Sequence, residues 1–124
     1  MVTKIELFKS AEGTVYPAGT VIFREGDERD NLYIVQSGEV EIEDLVGHIR
    51  TVGEGEIFGE MALITHAART ATATTISESK LVAISAKRFL FLIDNNRDFA
   101  LAIMRVLCER LVAPREGMTG AGDG

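Results

Sequence analysis

The chain has 124 residues and is 46% hydrophobic, so it fits one globular domain with a sizeable core and is too short to hold two. Its 13 Lys and Arg against 19 Asp and Glu leave a net charge of -6, without the basic stripe that nucleic acid binding requires, so we expect no direct nucleic acid partner. Cys108 is the only cysteine, which excludes an internal disulfide and fits a reducing cytoplasm. No apolar run approaches the roughly 18 residues of a membrane span, and the N-terminus has no signal-peptide core, so we expect a soluble protein.

Residues 13–85 have the pattern of short β-strands separated by turns. The β-branched runs are TVY (14–16), TVIF (20–23), NLYIVQS (31–37), EVEIED (39–44), HIRTV (48–52), TATATT (70–75) and SKLVAIS (79–85). Gly, Pro and Asp between these runs supply the turns. Many short strands at close spacing predict a β sandwich or barrel.

The hydrophobic period changes to that of helices after Ser85, which we expect to cap a helix over residues 86–96. Its predicted apolar face comprises Phe89, Leu90, Leu92 and Ile93. A second helix is predicted over residues 97–112, with core residues Phe99, Ile103, Val106, Leu107 and Leu111 at steps of three and four.

The sequence also predicts the structure of the two ends of the chain. The segment IELFKSA (5–11) is expected to form a short helix packed against the sandwich. We expect Pro114 to end the last helix. The glycine-rich residues 113–124 are predicted to be a disordered tail, which leaves residues 1–112 as the folded domain.

The stretch FGEMALITHAARTATA (58–73) places a Gly-Glu pair before a short apolar turn. Arg69 follows nine positions after Glu60, and only Thr and Ala come next. Because a protein core needs volume, side chains this small suggest space kept for something that is not protein. Residues 60–64 are expected to form a short helix whose free N–H groups favour an anion, and Gly59 would let a ligand approach the backbone.

From about Val15 to Leu111 the sequence resembles the cyclic nucleotide-binding domain of catabolite-activator-type regulators, kinase regulatory subunits and cyclic-nucleotide-gated channels. The motifs that carry the resemblance are PAGTVIFREGDERDNLYIVQSGEVEI (17–42), GEIFGEMALI (55–64) and RTAT (69–72). The spacing from Glu60 to Arg69 matches the family's phosphate-binding cassette, here called the cassette (residues 59–71). The resemblance implies a mainly β jelly-roll sandwich or barrel with this cassette and two C-terminal helices.

The resemblance also implies a ligand and the residues that hold it, with cyclic AMP favoured and cyclic GMP possible in its place. Glu60 would accept the ribose 2′-hydroxyl, and Arg69 would face the cyclic phosphate, whose two exocyclic oxygens suit a guanidinium. Thr70 adds a hydroxyl, Ala71 keeps the pocket wall low, and Ile42 and Val52 are candidate apolar surfaces under the base. The remaining predicted ligand-binding residues are Phe58, Gly59, Met61, Ala62 and Arg110. Arg110 lies where an arginine of the resembling regulators reaches the cassette glutamate.

Other interpretations of the same residues remain open. Glu60 and Arg69 could form an exposed ion pair with each other, which contributes only about 0 to 1 kcal/mol, and Arg110 could be a solvated charge. The fold could also serve as an interaction module with another ligand or none. His48 and His66 are the only histidines and are expected at the surface, so we expect neither a metal site, nor a cofactor, nor an enzyme.

The predicted function is therefore that of a ligand-driven regulatory switch which moves its C-terminal helices. The family usually has a glycine and often a proline before the cassette arginine, whereas this chain has Thr65, His66, Ala67 and Ala68. Because Pro114 is expected to stop the last helix, the long dimer seam and DNA reader of the catabolite-activator branch would be missing. Output would then need a protein partner or self-association.

Overall fold

The computed structural model describes residues 3–5, 7–9, 11–27, 31–65 and 68–117, with side chains described up to residue 111. Within these ranges the strands are β1 (Thr14–Tyr16), β2 (Val21–Phe23), β3 (Asn31–Ser37), β4 (Val40–Asp44), β5 (Ile49–Val52), β6 (Ile57–Phe58), β7 (Ala71–Thr75) and β8 (Ser79–Ser85). All seven predicted strands are confirmed. The additional strand, β6, has two residues, which is too short to show an alternating pattern in the sequence.

The strands form two antiparallel sheets, ordered β1-β8-β3-β6 and β2-β7-β4-β5. One apolar cluster lies between the sheets and a second lies between the first sheet and the helices. β3 separates the two: Leu32 and Ile34 join the helix-side core, whereas Tyr33 and Val35 join the core between the sheets. Successive side chains in a strand point to opposite faces, so the continuous apolar run LYIV serves both cores.

The described residues contain three helices: α1 (Glu60–Thr65) lies between β6 and β7, and α2 (Ala86–Asn95) and α3 (Arg97–Gly117) come after β8. The predicted N-cap of α2 is confirmed, because the Ser85 hydroxyl accepts a hydrogen bond from the Arg88 backbone N–H at 3.1 Å. Phe89 is buried in the helix-side core, but Leu90 is exposed, so its place on the apolar face was wrong. A neighbouring helical residue is rotated by about 100°, which carries Leu90 towards solvent.

The inner face of α3 consists of Phe99, Ile103 and Val106, which are all buried as predicted. Leu107 packs against them only in part, and Leu111 is 69% exposed, so its assignment to the core was wrong. Each four-residue step along a helix rotates the side chain by about 40°, and this drift takes Leu111 off the buried face.

The end of α3 also differs from the prediction. The helix continues past Pro114 to Gly117, so the predicted stop was wrong and the boundary at residue 112 lies inside α3. Proline removes one backbone donor and kinks a helix, but the flanking hydrogen bonds can carry the helix through. Residues 118–124 of the predicted tail lie outside the described residues. No helix in the described part of the chain combines the length and apolar character needed to cross a bilayer.

The N-terminal segment packs against the sandwich as predicted, but not as a helix. Ile5 and Phe8 are buried in the helix-side core, while residues 7–9 form a turn. The Gln36 side chain donates to the Phe8 carbonyl at 3.0 Å. A side-chain donor therefore satisfies a carbonyl of this turn and favours it over the predicted helix.

Candidate functional site

The cassette begins at a glycine that joins β6 to α1. Gly59 has a φ of 83°, in the left-handed region that glycine adopts without steric cost. A Cβ at this position would lie 2.9 Å from Nη1 of Arg69 and 3.3 Å from the Phe23 ring. Glycine is thus needed both for the backbone and for the close approach of the arginine.

Arg69 is buried, with only 4% of its surface exposed. Its Nη1 donates to the Gly59 carbonyl at 2.8 Å, and its Nη2 donates to the Asn31 carbonyl. The guanidinium also lies 4.0 Å from the centre of the Phe23 ring, a favourable cation–π position. Backbone oxygens and an aromatic face therefore hold this cation inside the protein.

The turn at residues 24–27 fixes the backbone of the cassette arginine. The Arg69 N–H donates to the Asp27 carbonyl at 2.9 Å, and the Gly26 N–H donates to the Arg69 carbonyl at 2.8 Å. The Asp27 carboxylate in turn accepts from the Arg24 N–H at 2.9 Å. The REGD turn (24–27) thus positions Arg69.

Glu60 is almost fully buried, at 1% exposed, and pairs with a residue fifty positions away. Nη1 of Arg110 lies 2.5 Å from Oε1 of Glu60, and Nη2 of Arg110 donates to the Ile57 carbonyl. Two alternative interpretations, the exposed Glu60–Arg69 pair and the solvated Arg110, are therefore wrong. Because Glu60 and Arg69 are both buried, they do not form an exposed ion pair, and Arg110 is not a solvated charge.

A second arginine lies beside this pair and was missed by the sequence analysis. Arg50 on β5 pairs with Ile42 on β4, and it shares the face of β5 that buries Val52. Desolvation and the like charge of Arg110 lower the pKa of Arg50 to about 10, while the charge of Glu60 acts in the opposite direction.

The Arg50 side chain is exposed, so the surrounding protein partly desolvates its guanidinium without enclosing it. Among the described residues it makes no hydrogen bond or ion pair. The signal in the sequence was its position two residues before the inward-facing Val52, on the same face of the strand.

The other predicted ligand-binding residues divide by burial. Those in the interior are Ile42, Val52, Phe58 and Ala62, whereas Met61 and Thr70 are exposed and Ala71 is half-buried. Ile42, Val52 and Phe58 belong to the core between the sheets, and Ala71 packs against it. The structure therefore gathers Ile42, Val52 and Phe58 around one core, while their contacts with a ligand stay predictions.

His48 is exposed, as predicted, with Nδ1 3.4 Å from the Asp44 carboxylate, and His66 lies outside the described residues. In the described ranges no group of three or more His, Cys, Asp or Glu side chains is placed to hold a metal ion.

Sequence comparisons relate residues 14–96 to the cyclic nucleotide-binding domain family. A cyclic nucleotide-gated potassium channel of Rhizobium etli is 32% identical over 110 residues, which cover 89% of this chain and 31% of the channel. The cyclic AMP receptor protein of Thermus thermophilus is 36% identical over 102 residues, which cover 78% of this chain and 47% of that protein. The chain thus spans less than half the length of these two relatives.

Solved structures with similar folds include the catabolite activator protein of Thermus thermophilus, with a TM-score of 0.74 and 32% identity over 90% of this chain and 55% of that one. The cyclic GMP-bound form of the EAL enzyme Bd1971 has a TM-score of 0.63 and 32% identity, covering 90% of this chain and 30% of that one. These similarities identify the two-sheet sandwich as the predicted jelly roll.

Proposed function

Because this chain belongs to the cyclic nucleotide-binding domain family, we propose that its folded domain, residues 1–112, binds a 3′,5′-cyclic nucleotide through the cassette. The observation that carries the proposal is the buried Arg69 guanidinium, held against Gly59 beside the buried Glu60. Further support comes from the cyclic AMP receptor protein of Thermus thermophilus and from the forms of Bd1971 with cyclic AMP and cyclic GMP bound.

The buried charges suit the two polar parts of such a ligand. A cyclic phosphate has one negative charge and two exocyclic oxygens, which suit a guanidinium. At Arg69 these oxygens would replace the Gly59 and Asn31 carbonyls as acceptors. Since this side chain is already ordered and desolvated, binding would cost it little further entropy or hydration. Arg110 takes one oxygen of Glu60, which leaves Oε2 to accept the ribose 2′-hydroxyl.

Calorimetric titration with cyclic AMP and cyclic GMP, side by side, tests the proposal. Loss of a buried charged contact typically costs about 2 to 5 kcal/mol, so Arg69→Ala should weaken binding roughly 30-fold or more. Arg97→Ala, which removes an exposed arginine at the start of α3, serves as the charge-matched control.

Arg69→Ala also removes donors from two backbone carbonyls, so its fold must be checked by circular dichroism before titration. If the folded variant binds as tightly as the parent, Arg69 does not hold the phosphate. If the parent binds neither nucleotide, the domain is an interaction module of the same fold with another ligand or none.

Two side chains are candidates for choosing the base. Arg50 lies opposite Ile42, a proposed base surface, in the register of β4 and β5. The two parallel donors of a guanidinium fit the O6 and N7 acceptors of guanine better than the N6 donor of adenine. Thr70 contributes a hydroxyl worth about 0.5 to 1.5 kcal/mol, which limits its effect to about tenfold. We expect Arg50→Ala and Thr70→Ala each to reduce affinity for cyclic GMP more than for cyclic AMP. Equal losses for both nucleotides would remove that residue as a selector.

We propose that α3 carries the output. Ligand would favour one arrangement of this helix by binding it better than the other. The outer face of α3 exposes Leu101, Met104 and Leu111, which could meet a protein partner or a second copy of the chain, and we propose no direct contact with nucleic acid. Hydrogen exchange across residues 97–112 should slow on nucleotide addition, and unchanged exchange at saturation would exclude α3 as the switch.

We propose a binding role without catalysis, in the cytoplasm. The side chains at the cassette supply charge and hydrogen bonds to a ligand rather than a nucleophile with its base. Because the structure pairs Arg110 of α3 with Glu60 of the cassette, the switch would act by tightening or releasing this pair.

A further inference from the structure

We infer that Thr3 is a positioning residue for the cassette, acting through Glu109 and its neighbour Arg110. The geometry of this contact stands independently of any ligand, while its effect on affinity rests on the proposed function. Thr3 lies near the beginning of the chain, and no sequence pattern singled it out.

Thr3 and Glu109 are joined by two hydrogen bonds across 106 positions of sequence. The Thr3 N–H donates to one carboxylate oxygen at 3.0 Å, and the Thr3 hydroxyl donates to the other at 2.6 Å. Both oxygens of the carboxylate are thus engaged by one residue. Bonds to a charged acceptor are shorter and stronger than neutral ones, and a two-point contact also fixes the orientation of the side chain.

The segment that carries Thr3 is itself anchored to the barrel. The Ile5 N–H donates to the Gly55 carbonyl at 2.6 Å, and the Gly55 N–H donates to the Val35 carbonyl at 2.7 Å. Ile5 is buried, and the Lys4 side chain lies against Gly55. Residues 3–5, here called the N-terminal strap, therefore tie α3 to the turn that leads into β6 and the cassette.

The two contacts of α3 lie on consecutive residues and lead to the same part of the barrel. Glu109 is held by the strap, and Arg110 is held by the Ile57 carbonyl and the Glu60 carboxylate. A helix held at two adjacent points cannot roll without breaking one of them. The strap thus keeps Arg110 in place on Glu60, and with it the orientation of the carboxylate that would meet the ribose.

The test compares Thr3→Val, which removes the hydroxyl at nearly constant shape, with Thr3→Ser, which keeps it. Thr14→Val on the exposed strand β1 is the matched control. Without nucleotide, Thr3→Val should speed hydrogen exchange of residues 103–111 and of α1 by about threefold to tenfold, the factor for one lost hydrogen bond. Thr3→Ser and Thr14→Val should match the parent. In an Arg110→Met background, Thr3→Val should no longer affect α1.

A second experiment measures how much more tightly each variant binds a cyclic nucleotide than the 2′-deoxy analogue of that nucleotide. The ratio of the two affinities should fall in Thr3→Val, because Glu60 is then less well oriented towards the hydroxyl. A merely structural role would change the exchange of α3 and leave this ratio unchanged, which would overturn the inference.

Unchanged exchange of both helices in Thr3→Val would also overturn it. So would an effect on α1 that persists in the Arg110→Met background. If the parent binds no cyclic nucleotide, the proposed function fails, and the exchange experiments alone decide whether the strap positions Arg110.

Discussion

Replacing Arg110 with methionine should destabilise the protein, because Arg110 is the cation paired with the buried Glu60 carboxylate. Methionine keeps an unbranched apolar stem of similar reach, so the change removes the charge and donors without creating a large cavity. The Glu60 carboxylate, 1% exposed, would then be left buried without its cation. Breaking a buried ion pair from one side typically costs about 3 to 5 kcal/mol.

Two features of the site determine how much stability Arg110→Met should lose. The Arg110 side chain is 19% exposed, so solvent can partly reach the pair and reduces the cost. The Ile57 carbonyl loses its charged donor at the same time, which adds to the cost. We therefore expect a loss of about 2 to 4 kcal/mol in the free energy of unfolding.

Urea denaturation followed by circular dichroism measures this loss. Arg105→Met, an exposed arginine on the same helix, is the control and should stay within about 0.5 kcal/mol of the parent. The double variant Arg110→Met/Glu60→Gln removes the buried charge and should recover more than half of the loss. An Arg110→Met variant as stable as the parent would show that Glu60 is not a buried, paired carboxylate. A double variant without recovery would place the cost in packing rather than charge.

Three further predictions concern the cassette, the α2 cap and the strap. Gly59→Ala should cost at least about 1 to 2 kcal/mol in urea denaturation, because its φ is 83° and the new Cβ would crowd Arg69; no loss would mean that this turn relaxes freely. Ser85→Ala should cost about 1 kcal/mol by removing the acceptor for the Arg88 N–H, and an unchanged midpoint would exclude a working cap. Desolvation raises the pKa of Glu109. The two hydrogen bonds from Thr3 and the positive charge of Arg110 outweigh it, so the pKa lies below the ordinary 4.5. A carboxylate with a lowered pKa stabilises the fold above its ordinary pKa and loses this contribution as the pH falls through the lowered pKa. The protection of α3 amides against exchange, measured relative to their intrinsic exchange rate at each pH, should therefore decrease in acid, and Glu109→Gln should remove this dependence.

Most of the fold could be predicted from the sequence because it depends on local pattern. The short apolar, β-branched runs NLYIVQS and SKLVAIS, bounded by turn residues, were enough to place β3 and β8. The Ser85 cap was also found, since a cap depends on residues three positions apart. The local rules gave the wrong secondary structure in two places. Gln36 holds a turn in the N-terminal segment that was predicted as a helix, and α3 continues through Pro114, where it was predicted to end.

The candidate site was also predicted only in part from the sequence. The sequence alone placed Glu60 and Arg69 in one cassette, because a Gly-Glu pair and an arginine at fixed spacing are close along the chain. The family resemblance pointed to Arg110, but only the tertiary structure revealed that Glu60 is buried and paired with it. The positions of Arg50 beside this pair and of Thr3 on Glu109 of α3 were likewise visible only in the structure. These contacts join residues far apart in sequence, and whether a charge there is paired or solvated depends on how the sheets and helices pack, which no local pattern encodes.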